Sequence, residues 1–139
     1  MNIVVSELET ATEFFHRLGF TVEHQGILKG DWISSIVNLE DVKASYVQLA
    51  LENSDVKIEL IKYDSPKSTV SELSSVPNKI GIRHIAFAVK DIETLVSDLK
   101  KEGIQFFGDI QTYPETGKKL VYFYGPDGII LELAQYPAN

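Results

Sequence analysis

The chain has no cysteine, one methionine and one tryptophan among its 139 residues. Without cysteine there is no disulfide framework, no thiolate nucleophile and no cysteine-type zinc site. Positive charge is also scarce: 13 Lys and Arg face 20 Asp and Glu, for a formal charge of −7. No run of Lys or Arg is longer than two, so a nucleic-acid surface is not expected. No stretch nears the ~18 continuous apolar residues of a membrane span. The N-terminus has neither the basic start nor the apolar run of a signal peptide. The expectation is a soluble, cytoplasmic protein with no nucleic-acid or membrane partner.

What is present is a duplicated unit. With 44% hydrophobic residues, the chain is long enough for one domain with a real core. Moving the first half forward by 84 positions lays Ile3-Val4-Val5 on Phe87-Ala88-Val89, and Leu8-Glu9-Thr10 on Ile92-Glu93-Thr94. The same shift lays Gly19 on Gly103. At the far ends a shift of 73 lays Ile58-Glu59-Leu60 on Leu131-Glu132-Leu133. The shifts differ because the first copy carries extra residues around Trp32 to Asp41. The repeats run over 1–63 and 80–139. Residues 64–79, rich in Ser with Pro66 and Pro77, read as the linker.

Each copy starts with a β-branched run, Ile3–Val5 or Ile85–Val89. A helix follows, with apolar positions at Leu8, Ala11, Thr12, Phe15 and at Ile92, Leu95, Val96, Leu99. That i, i+3, i+4, i+7 spacing marks one face of a helix. Ser6-x-x-Glu9 reads as a capping box, Asp91 as the second cap, and Gly19 and Gly103 as left-handed stops. Three strands close each copy: Phe20–Gln25, Ser45–Leu51 and Val56–Tyr63, then Ile104–Phe107, Leu120–Tyr124 and Ile129–Tyr136. Pro126-Asp127-Gly128 is a turn signal. Trp32–Leu39 is compatible with a helical turn inserted before the third strand. The fold class expected is α+β: two tandem βαβββ modules whose mixed sheet curves around a cavity suited to a small molecule.

Alternation across strands puts His84 with Ala86 and Ala88, and Glu132 with Ile130, Ala134 and Tyr136. It puts Glu59 with Lys57, Ile61 and Tyr63. A lone carboxylate in an apolar strand is costly to bury and needs a partner. A single glutamate in a strand is ordinarily solvated, and a single histidine ordinarily structural. Two glutamates at one repeat position, with a histidine, suit a site for Zn, Ni, Mn, Co or Fe. His16 and His24 read as surface residues.

These features resemble the vicinal oxygen chelate superfamily: glyoxalase I, methylmalonyl-CoA epimerase, extradiol dioxygenases, and the fosfomycin and bleomycin resistance proteins. The resemblance covers nearly the whole chain, and the residues carrying it are NIVVSELETATEFFHRLGF, IRHIAFAVKDIETLVSDLKKEGI and YFYGPDGIILELAQY. The resemblance implies metal ligands on the first and last strands of each module. Here those are His84, Glu132 and Glu59, and the fourth aligns with the residue before Met1. Either the chain begins further upstream or the site has three protein ligands.

The activity implied is a metal-dependent lyase or isomerase moving a proton on a small α-oxygenated carbonyl compound. Glu132 or Glu59 would be the base, and the divalent metal a Lewis acid. A metal-free drug-binding protein of the same fold is the alternative; a dioxygenase, which needs a second histidine, is a further one. Tyr46, Gln48, Tyr122, Tyr124 and Arg83 are candidates to approach the cavity, and the same residue types are ordinary on strand surfaces. A homodimer is what the resemblance implies for assembly.

Overall fold

A computed structural model describes residues 1–70 and 75–138. The chain divides into two compact units, Met1–Val70 and Ser71–Asn139. The first contains β1 (Asn2–Val4), α1 (Leu8–Arg17), β2 (Phe20–Lys29), α2 (Asp31–Val37), β3 (Lys43–Leu51) and β4 (Lys57–Ser65). The second contains β5 (His84–Ala88), α3 (Ile92–Lys101), β6 (Gln111–Thr112), β7 (Lys119–Tyr124), a 3-10 turn at Pro126–Gly128, and β8 (Ile130–Gln135).

Each unit holds one four-stranded mixed sheet, in order β1-β4-β3-β2 and β5-β8-β7-β6. In both, the first strand pairs parallel with the last and the other pairs are antiparallel. The duplication therefore extends to topology. Asn2 stands opposite Glu59 as Ala86 stands opposite Glu132. The fold is the α+β two-module architecture that the repeat implied.

The helix faces follow the apolar spacing. On α1, Ala11, Phe14 and Phe15 are buried, and on α3, Ile92, Val96 and Leu99. In the first unit they join Phe20, Leu49, Ile58 and Leu60, and Phe15 meets Phe14 and Phe20 edge-on. In the second unit the core contains Val121, Phe123, Leu131 and Leu133. Burying such side chains is the main force that holds each sheet to its helix. Gly19 and Gly103, at φ 95° and 85°, end the two helices in the left-handed conformation that favours glycine. Asp91 caps α3: Oδ1 accepts from the Thr94 backbone N–H at 3.1 Å and Oδ2 from its hydroxyl at 2.7 Å.

Two local expectations need correction, and a third element, β2, ends later than expected; the helical turn compatible with Trp32–Leu39 is present. Ser6 is not the cap of α1: Val5 is anchored by its N–H to the Ile61 carbonyl at 2.8 Å, and the helix starts one residue late, with Glu7 at the cap and no side-chain bond there. Ile104–Phe107 is not a regular strand. Tyr124 donates to the Gln105 carbonyl and Phe107 to that of Tyr122, then regular pairing resumes only at Gln111 opposite Leu120. Residues 108–110 therefore bulge opposite Val121, which no continuous ladder accommodates. The first copy's insertion is the short helix α2, preceded by a β2 that runs four residues past the expected Gln25 to Lys29.

Candidate functional site

Glu132 lies in the middle of β8, where Ile130, Leu131, Leu133 and Ala134 are all buried. At 4% exposure it is the one buried charged residue among the described residues. β8 is central, with β5 and β7 on its two sides, so side chains of both neighbours flank the carboxylate. The carboxylate therefore has to find its partners locally.

It finds two. His84, at the start of β5, brings Nε2 to 3.0 Å from Oε2. Lys118, just before β7, brings Nζ to 3.0 Å from Oε1. Lys118 shares a face with Leu120, Tyr122 and Tyr124 by alternation, and its length carries the ammonium past Ala134 to Glu132. The carboxylate raises the Lys118 pKa above the ordinary ammonium value, and this outweighs the opposing effect of desolvation. The Lys118–Oε1 approach is an ion contact, since Oε1 meets no donor in hydrogen-bonding geometry. Lys118 Nζ also lies 5.4 Å from the centroid of the Tyr136 ring.

Around His84 the surface is aromatic. The Tyr122 ring lies 4.7 Å from the imidazole centroid and its hydroxyl 3.5 Å from Nε2. Phe107 meets Tyr122 edge-on at 5.8 Å and Tyr124 in a tilted contact at 4.6 Å. The second unit thus brings together four of the sequence candidates and the overlooked Lys118: His84, Glu132, Tyr122, Tyr124 and Lys118. Strand alternation from Tyr122 back to Lys118 was the signal for the lysine. Arg83 instead donates to the Val76 carbonyl at 3.3 Å.

In the first unit Glu59 is only half-buried, and Asn2 Nδ2 donates to its Oε1 at 2.8 Å. Gln48 stands opposite Glu59 in register, but its amide donates to Glu23 at 2.6 Å. The Tyr46 hydroxyl bonds His24 Nδ1 at 2.6 Å. Glu23 also holds Lys57, and these two bonds lower its carboxyl pKa. Tyr46 and Gln48 are therefore tied to groups on the edge strand β2.

Among the described residues no group of three or more His, Asp or Glu side chains is placed to hold a metal ion. His84 and Glu132 make a two-donor set. The pair suits a divalent metal in donor type alone: no third ligand stands with it among the described residues, and the Lys118 ammonium already holds the carboxylate. No helix of the described chain is long and apolar enough to cross a membrane.

Comparison with known proteins agrees with the repeat and the topology. The model of the Glyoxalase/Bleomycin resistance protein/Dioxygenase superfamily matches residues 1–133. YwkD of Bacillus subtilis is 32% identical over 133 residues, covering 94% of this chain and 90% of that protein. A 2-epi-5-epi-valiolone epimerase of an Actinomyces species is 26% identical, covering 97% of this chain and 76% of the enzyme. The crystal structure of a glyoxalase family protein from Bacillus cereus superposes with a TM-score of 0.91 at 26% identity, covering 99% of this chain and 92% of that one.

Proposed function

Because the chain belongs to the Glyoxalase/Bleomycin resistance protein/Dioxygenase superfamily, we propose that it is a glyoxalase-like lyase or isomerase. It would move a proton on a small α-oxygenated carbonyl compound. The observation that carries this reading is the buried Glu132, bonded by His84 and shielded from bulk water. Similarity to an epimerase supports it.

His84 Nε2 and Glu132 Oε2 would hold a divalent metal, whose contribution is Lewis-acid stabilisation of a developing enolate. Once the Lys118 ammonium has moved aside, Glu132 Oε1 would accept the proton as the carbon–hydrogen bond breaks and the electron pair passes to the carbonyl. The same oxygen then returns the proton to carbon. The Tyr122 ring fixes the imidazole of His84 by packing on it. Tyr122, Tyr124 and Phe107 offer an apolar wall to the substrate. Glu59, at the matching register of the first unit, stays in the proposal as a second candidate carboxylate, and its own variant tests it. A homodimer belongs to the same reading and is read by sedimentation.

The test is exchange of the α-proton of α-hydroxy ketones and α-keto aldehydes in D2O, followed by NMR. Tag-free protein would be loaded with Zn, Ni, Co or Mn, alongside E132Q and E59Q. Exchange that depends on metal and on Glu132 is expected. No stoichiometric metal and no exchange with any of the four ions would sink the reading.

A second reading is a metal-free small-molecule binder. The contact that favours it is Lys118–Glu132, which already neutralises the carboxylate. Ligand-induced stabilisation that is equal in metal-loaded and chelator-treated protein, without turnover, would support it.

A further inference from the structure

Removing a proton next to a carbonyl needs two groups side by side, because the α-hydrogen and the carbonyl oxygen sit on adjacent carbons. One is a base for the proton; the other is a cation or donor for the oxygen that gains the charge. The second unit holds such a pair: Glu132 Oε1 and Lys118 Nζ stand 3.0 Å apart. The other carboxylate oxygen, Oε2, is taken by His84 Nε2 at 3.0 Å, so Oε1 is the one left for a substrate proton. Glu132 is 4% exposed and Oε1 is shut off from water, whereas the Lys118 side chain is 24% exposed. A substrate therefore meets the ammonium first and reaches Oε1 as the ammonium gives way.

We propose that Lys118 is a catalytic residue of this site: its ammonium moves from Glu132 Oε1 to the substrate's carbonyl oxygen and donates a hydrogen bond to the enolate as it forms. The inference rests on the proton-transfer reading above and on none of its metal chemistry. Breaking the carbon–hydrogen bond sends the proton to Oε1 and the electron pair to the carbonyl oxygen. Returning the proton to carbon sends the pair back, so the step balances with no further reactant, and Lys118 stays an ammonium throughout. As the proton reaches Oε1, the carboxylate loses the charge that held the lysine and the enolate oxygen gains it, so the cation keeps one anion beside it. In so poorly solvated a place that attraction is weakly screened. The Tyr136 ring eases the movement. Its centroid is already 5.4 Å from Nζ, and Tyr136 is itself 62% exposed, so the ammonium can leave Oε1 without leaving a favourable contact.

The experiment follows α-proton exchange of an α-hydroxy ketone in D2O by NMR, against substrate concentration, for tag-free wild type, K118M, K118Q and K118R. Each is measured after chelator treatment and again with Mn or Zn added, and circular-dichroism melts of the same samples report folding. Chelator-treated wild type should exchange. K118M and K118Q should lose about 10²–10³-fold in kcat with KM little changed, as an interaction made only in the transition state requires. K118R keeps the charge and should recover part of the loss. A lysine that only holds Glu132 in place would instead lower the melting temperature and leave the kcat of the folded variants unchanged. K118Q keeps a donor for Oε1 and serves if K118M does not fold. If wild type exchanges only with an ion added, or if the folded neutral variants match it, the role of Lys118 is overturned while the proton-transfer reading stands. If no sample exchanges under either condition, both fail.

Discussion

His84 Nε2 lies 3.0 Å from Glu132 Oε2 although the two residues are not cross-strand partners: His84 stands opposite Ile130, and Ala86 opposite Glu132. The contact is a diagonal across parallel strands, made possible by the small side chain of Ala86. In the first unit the residue at the Ala86 position is Asn2, whose amide reaches Glu59 itself. The duplicated register thus serves two different purposes.

Replacing Glu132 by Gln should remove the proton-transfer activity while leaving the fold. Losing a general base costs about 10²–10⁴-fold in rate. Gln keeps the volume and an acceptor for His84, so the melting temperature should move by only a few degrees. Deuterium exchange rates and circular-dichroism melts on the same samples separate the two effects.

Asp91 should stabilise α3 in a pH-dependent way. The Thr94 backbone N–H and hydroxyl bond its carboxylate and lower its pKa below the ordinary 3.8. A lowered carboxyl pKa gives stability that is present above the unfolded value and lost as pH falls through the folded value. D91A should therefore melt below wild type at neutral pH. The gap should close as the pH drops below 3.8, in a series of melts against pH.

Gly125 should resist substitution although its φ of −93° is accessible to any residue. A Cβ there would come within 2.8 Å of Leu131 Cδ1 and 2.9 Å of Ile129 Cγ1. Leu131 is fully buried beside Glu132, so its side chain has little room to yield. G125A should cost about 1–3 kcal/mol, measured by denaturant unfolding.

Phe15 is fully buried, with edge-on contacts to Phe14 and Phe20 at 5.4 Å and 5.9 Å between centroids for Phe14–Phe15 and Phe15–Phe20. F15A should cost about 3–5 kcal/mol. Urea unfolding of the variant should show a lower midpoint with little change in slope.

The sequence by itself determined what depends on local pattern. The 3.6-residue spacing of Ala11 with Phe15 and of Ile92 with Val96 and Leu99 set the buried helix faces. Gly19 and Gly103 marked the two helix ends, because a positive φ strains any side chain but theirs. The shared position of Glu59 and Glu132 in two copies gave the matching register, since a strand's side-chain period is fixed. Tertiary structure decided what depends on reach and on neighbouring strands. Lys118 and Glu132 are 14 positions apart in the chain, and only the β7–β8 pairing with a long flexible side chain joins them. Tyr46 and Gln48 lie in the expected strand, yet the edge strand β2 supplies His24 and Glu23 to bind them. The bulge at 108–110 arose because three residues had to face Val121, a mismatch that no single segment contains. Glu132 is buried and Glu59 half-buried for the same reason: identical positions in a repeat meet different neighbours once each sheet has folded.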